Sequence, residues 1–176
     1  MPPAEPRRRS AGAELLQAAG LDPERDIQAQ RLELGKTVDV MKDGSIDAFV
    51  WSGGLPTGAI TDLATTDDIV LLPLDRYVPR LNERYGEAYQ EAEVEEGEYP
   101  GVAPVKTIAV PNLLMVRADM DEGLAHDVIA LMFEHKRELA QIHPSAEKLT
   151  LEDAPQVVEG VELHPGAQRF YREAEE

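Results

Sequence analysis

The sequence predicts an α/β fold with a doubly wound parallel sheet. Short apolar runs of strand length alternate with amphipathic helical stretches through the first half of the chain. The runs at 46–51 and 69–74 are almost continuously apolar, as strands buried on both faces are. Single helical stretches separate them, and right-handed crossovers of that kind place helices on both faces of a parallel sheet.

Each element has a local reason. Residues 10–19 read as a helix with Ser10 as N-cap, Gly20 just past its end, and Leu15, Leu16 and Ala19 inward. Residues 27–34 alternate with one slip and read as a strand. Residues 36–42 read as a short helix with Val38 and Met41 inward, closed by Asp43-Gly44. After the strand at 46–51, Pro56 suits the first position of a helix that runs to about Ala64. The strand at 69–74 leads into a helix over 76–85. Residues 87–104 are acidic, hold Tyr99-Pro100-Gly101, and read as a loop or crossover. Residues 106–117 are β-prone but interrupted at Pro111. Residues 121–143 form one long helix with an apolar stripe through Leu124, Val128, Leu131, Met132, Leu139 and Ile142, stopped by Pro144. Two shorter helices are expected at 150–158 and 165–174. The organisation expected is a disordered 1–9, an α/β unit over 10–98, and a second unit over 99–176.

Composition excludes several classes. The 176 residues carry 34 acidic against 17 basic side chains, a net charge of −17, which repels phosphate backbones and anionic lipid. No nucleic-acid partner is expected. The absence of cysteine removes disulfides and thiolate chemistry. No apolar run is long enough to cross a bilayer. Arg7, Arg8 and Arg9 lack a following apolar stretch, so these residues are not expected to form an export signal.

Motifs for chemistry are mostly missing. Gly35-Lys36-Thr37 lacks the upstream glycine of a phosphate loop, since Gln30 stands there. His126, His135, His143 and His164 have no zinc spacing; His143 and His164 precede proline and suit helix ends. Asp119 and Asp121 lack the rest of a calcium ladder and read as helix N-terminal residues. With no nucleophile elbow or acid pair, no enzyme activity, metal or cofactor is expected. The most informative segment is Ser52-Gly53-Gly54-Leu55-Pro56-Thr57, at the end of an apolar strand and the start of a helix. Ligands of open α/β sheets bind at such places, where exposed backbone and free helix N–H groups hold a carboxylate. The same residues suit a tight turn with no ligand.

The run Met41-Lys42-Asp43-Gly44-Ser45-Ile46-Asp47-Ala48-Phe49-Val50 followed by Ser52-Gly53-Gly54-Leu55-Pro56 resembles the TAXI family, solute receptors of TRAP transporters. Ile69-Val70-Leu71-Leu72-Pro73-Leu74-Asp75, Gly97-Glu98-Tyr99-Pro100-Gly101, the long helix after Arg117-Ala118-Asp119, and Leu163-His164-Pro165-Gly166-Ala167 before Tyr171 follow in family order. The resemblance covers the C-terminal half of such receptors. Where the family carries a Gly-Ser-Gly-Thr-type turn before the first helix, this chain reads Glu5-Pro6-Arg7-Arg8.

The resemblance implies a periplasmic binding protein type II-like fold, with one lobe and a partial second lobe represented here. It implies an extracytoplasmic receptor that captures a small organic anion, such as an amino acid or dicarboxylate, for TRAP membrane permease subunits. It carries over Ser52, Gly53, Gly54 and Pro56 as ligand-loop residues, Trp51 as a cleft wall, and Tyr99 beside the crossover. A half-length chain is expected to leave apolar surface that a homodimer would cover. The alternative function is a cytosolic ligand-sensing domain with no transport role; a third is a small enzyme acting on an acidic substrate.

Overall fold

In a computed structural model, residues 10–156 and 160–175 are described. The expected disorder of 1–9 lies outside them. Contacts divide the chain into two units, Met1–Gly53 with Thr57–Ala109, and Gly54–Pro56 with Val110–Glu176. The boundary expected between residues 98 and 99 falls within the first unit.

In the first unit, helix α1 (Ala11–Ala18) starts where Ser10 Oγ accepts the Ala13 N–H at 3.3 Å. Gly20 follows it at φ +84°, a left-handed conformation that glycine adopts without strain. Helix α2 (Leu34–Lys42) begins two residues before the expected start. The strand expected at 27–34 is not formed. Asp22 and Asp26 fold the preceding residues into a turn, with the Asp22 N–H donating to Asp26 Oδ2 at 2.7 Å. Leu34 then shares the helical spacing of Val38 and Met41 instead of a two-residue alternation.

Helix α3 (Gly58–Thr66) packs on α2 and buries Ile60 and Leu63. Thr57 holds its N-cap position, so Pro56 lies outside the helix rather than at its first position. A 3-10 turn (Asp75–Tyr77) leads into α4 (Val78–Tyr85), which packs on α1. Tyr89 donates to Glu14 Oε2 at 2.6 Å and Tyr85 to Gln17 Oε1 at 3.1 Å, while Arg80 Nη1 reaches the Ala18 carbonyl at 2.9 Å. Burial, then the Glu14 carboxylate, push the Tyr89 phenol up to about 12.

The acidic stretch expected as a loop contains strand β1 (Gln90–Val94), which pairs antiparallel with β2 (Val105–Ala109). The side chain of Asn82 sets its start, accepting the Tyr89 N–H at 3.0 Å and donating to the Tyr89 carbonyl at 2.9 Å. Acidic residues on β1 are tolerated because they face solvent while Val94 is buried. This hairpin is the only ladder among the described residues, and the doubly wound parallel sheet is not seen there.

The runs at 46–51 and 69–74 connect helices without strand pairing. Residues 47–50 and 69–72 make no backbone hydrogen bond among the described residues; Leu74 donates to the Lys106 carbonyl at 3.1 Å. Val70 is 83% exposed and Leu72 66%. A strand needs a neighbour to satisfy its backbone, and no described segment supplies one here.

In the second unit, α5 (Glu122–Glu134) starts at Asp121, whose Oδ1 accepts the Leu124 N–H at 2.9 Å. The single long helix expected over 121–143 is divided at His135, and α6 (Lys136–Ile142) continues from it. Residues 150–156 form turns instead of the expected helix; Thr150 and Asp153 bond reciprocally at 2.7 and 3.0 Å, and Pro155, which has no backbone N–H, discourages continuation. Residues 157–158 of that expected helix lie outside the described residues. Helix α7 (Pro165–Ala174) matches expectation and packs on α5. Phe133 stacks on Phe170 at 5.3 Å between ring centroids, with Tyr171 edge-on to both. Burial raises the Tyr171 phenol above its ordinary range.

Two core substitutions test these contacts. Leu63 is fully buried, and Leu63→Ala is expected to cost about 2–5 kcal/mol in urea unfolding. A methyl on Gly166 would meet the Glu122 carbonyl, with the His126 nitrogen at 2.8 Å and Ala125 Cβ at 2.9 Å. Two of those atoms are helix backbone and cannot yield, so Gly166→Ala is expected to displace α7 and destabilise by roughly 1–3 kcal/mol, read by the same measurement.

Candidate functional site

The segment from Trp51 to Thr57 turns an extended run into α3. Its order follows from its residues. Gly53 and Gly54 carry no Cβ, and each has a neighbour where a Cβ would stand. A methyl on Gly53 would lie 2.7 Å from Trp51 Nε1, so glycine lets the indole fold back along the backbone.

Within the first unit the indole is used as a brace. Trp51 Nε1 donates to Thr57 Oγ1 at 3.1 Å, although the residue is 44% exposed. The Thr57 N–H donates to the Tyr99 hydroxyl at 3.1 Å. Tyr99 is 2% exposed, held at the turn between β1 and β2 by Gly97 at φ +88° and Gly101 at φ +72°. Its hydroxyl therefore positions the loop from inside the unit, while Trp51, Ser52 and Gly53 face solvent.

The Thr57 side chain is committed to Trp51 and caps nothing. Its carbonyl accepts the Ile60 and Thr61 N–H groups at 2.9 and 3.0 Å. The N–H groups of Gly58 and Ala59 have no partner among the described residues. Helix N-termini carry a partial positive charge, and open N–H groups there favour an anion.

In the second unit, Gly54 lies against the turn His143-Pro144-Ser145. A methyl on Gly54 would stand 2.5 Å from His143 Cε1 and 3.0 Å from Ser145 Oγ. His143 caps the 3-10 turn Pro144–Lys148: its Nδ1 accepts the Ser145 N–H at 3.2 Å and lies 2.8 Å from Ser145 Oγ. Because Nδ1 accepts, the ring's proton sits on Nε2, which has no partner among the described residues. His164 repeats the device at α7, accepting the Gly166 N–H at 3.2 Å. Pro56 is exposed, and the Leu55–Pro56 peptide is cis.

Of the residues singled out by sequence, the first unit thus brings Trp51, Ser52 and Gly53 to one turn, with Tyr99 behind it. Gly54 and Pro56 count with the second unit. Sequence reading missed Thr57, which joins Trp51 to Tyr99, and the approach of His143 and Ser145 to Gly54. The His-Pro pair signalled a helix end, but nothing local signalled a contact about ninety residues away. Among the described residues, no group of His, Asp and Glu is arranged to hold a metal ion. Asp119 is engaged by Arg117 through bonds of 2.7 and 2.6 Å, which hold its carboxyl below its ordinary range.

By family, the class is a periplasmic-binding-protein-like one with a solute-binding role in general. The chain belongs to the NMT1-like family, which it matches over residues 6–174.

The contact at Gly54 can be tested by relief. Gly54→Ala is expected to destabilise by roughly 1–3 kcal/mol through overpacking. In a double-mutant cycle, His143→Ala should recover a substantial part of that cost by removing the ring. Additive losses in urea unfolding would mean that the ring and the glycine do not meet.

Proposed function

We propose that this chain is the solute-binding receptor component of a TRAP-type transporter of the TAXI kind. It captures a small organic anion, an amino acid or dicarboxylate, outside the cytoplasmic membrane and delivers it to the membrane permease subunits. It acts by binding and not by catalysis. Family membership supports the solute-binding part, and the ordered TAXI-like motifs support the transport part.

The observation that carries the anion is the open N-terminus of α3 beside Trp51, Ser52 and Gly53. A carboxylate placed there meets the Gly58 and Ala59 N–H groups and the positive end of the helix. The Ser52 hydroxyl can donate to a second oxygen. The indole of Trp51 supplies an apolar wall for the ligand's carbon chain, and its bond to Thr57 keeps it in place. Neither donor needs a charged side chain, so the site works by oriented dipoles.

Trp51 is the sole tryptophan of the chain, so its intrinsic fluorescence reports this turn directly. Titration with glutamate and with four- and five-carbon dicarboxylates is expected to give a saturable change, with a neutral sugar giving none. Gly53→Ala, which displaces the indole, is expected to weaken binding about tenfold, or about 1.4 kcal/mol. Saturable binding of the sugar alone, or no response to any anion in a folded chain, would remove the organic-anion reading.

A further inference from the structure

His126 sits at the contact of α5 and α7 and is unused by the binding reading. Its ring is 18% exposed, with Nδ1 3.0 Å from Asp127 Oδ1 and Nε2 3.0 Å from Glu173 Oε2. Ionised carboxylates only accept hydrogen bonds, whereas a neutral imidazole has one N–H and one lone pair. Two carboxylates facing two ring nitrogens at hydrogen-bond distance therefore require both nitrogens to be protonated. The geometry defines an imidazolium. We propose that His126 is a pH-sensitive latch that fastens the C-terminal helix α7 to α5 while its ring is charged and loosens it when the ring loses a proton.

The surrounding groups agree. On its own helix, Asp127 faces Nδ1, and Glu122 reaches Arg169 of α7 at 3.6 Å. On α7, Glu173 faces Nε2 and is shared with Arg169 Nε at 3.5 Å. Arg169 opposes a positive ring, but the hydrogen bonds of Asp127 and then Glu173 outweigh it and hold His126 above its ordinary range. The ring also meets the edge of Phe170, at 5.8 Å between centroids and 71° between planes. The His126–Glu173 bond thus crosses from α5 to α7 beside the Phe133–Phe170–Tyr171 cluster.

The sign of the pH effect follows. A histidine whose proton affinity is raised by folding contributes stability that is complete below the ordinary imidazole value and lost as pH rises through the raised one. Above that value one ring nitrogen presents a lone pair to a carboxylate, and attraction becomes repulsion. A neutral ring keeps at most one of the two bonds, and even in the tautomer that keeps Nε2–H on Glu173 the bond between the helices loses the positive charge that strengthened it. Helix α7 then rests on Gly166, Ala167, the aromatic cluster and the Arg169–Glu122 pair.

The test is amide hydrogen exchange on the full chain by NMR between pH 6 and 8.5, alongside the His126 Cε1 titration. Protection factors of α7 are referred to those of α1 in the other unit. In the native chain the α7/α1 ratio is expected to fall several-fold across this range, with a midpoint at the His126 titration. His126→Gln, which cannot titrate, is expected to flatten the profile, and Glu173→Gln to move the midpoint down. A native ratio that stays constant, or a fall of equal size in His126→Gln, would overturn the latch. Should His126→Gln fail to fold, the exposed Glu173→Gln decides by itself: a midpoint that does not move overturns the proposal.

Discussion

The first unit depends on the hydroxyl of Tyr99. That phenol is buried at the turn of the β hairpin, and its oxygen accepts the N–H of Thr57 at the start of α3. The bond joins residues forty-two apart and ties the only ladder among the described residues to the helix carrying Ile60 and Leu63. Thr57 is held a second time by the Trp51 indole. The side chain that would ordinarily cap the helix accepts from the indole instead, and the first N–H groups of α3 have no partner among the described residues.

The second unit is held in a different way. Its buried side chains among the described residues are small, Ala125 and Ala167, and Gly166 allows the two helix backbones to approach. Close approach excludes large apolar side chains from the seam, so polar and aromatic groups at its edge matter more. His126, Arg169, Glu122 and Glu173 are linked along the contact of the two helices, and the His126 ring meets Phe170 of the phenylalanine pair. Leu124, Leu131 and Ile142 remain exposed, which leaves this unit with a smaller apolar reserve than the length of its helices suggests.

Helix starts and stops were the most legible part of the sequence, because they are set by neighbours within a turn. Ser10, Gly20, Asp121 and the two His-Pro pairs each perform the terminal role their chemistry suggests. The strands were not legible to the same degree. Residues 46–51 and 69–74 have the composition of buried strands, but pairing is a property of two segments, and composition reports one. Conversely, residues 90–94 carry three polar side chains and still pair, because Asn82 aligns their start and Val105–Ala109 lies opposite. The glycine turn was visible as a place where backbone is accessible. Thr57 as its brace was not, since its two partners come from before and after it in the chain.

The acidity of the chain and the proposed anion site are compatible for a reason of range. A net charge of −17 produces a field that acts over many ångströms but is screened within about 8 Å at physiological ionic strength. The open N–H groups of α3 act at contact distance, where screening is weak and orientation decides. Long-range repulsion depends on an anion's charge and not on its shape, so it cannot choose among anions of equal charge. In the proposed site, selection would fall to the short-range donors and to the indole beside them. Recognition by backbone dipoles would also spare the proposed site a buried cation, whose desolvation a small unit with few fully buried side chains could not easily offset.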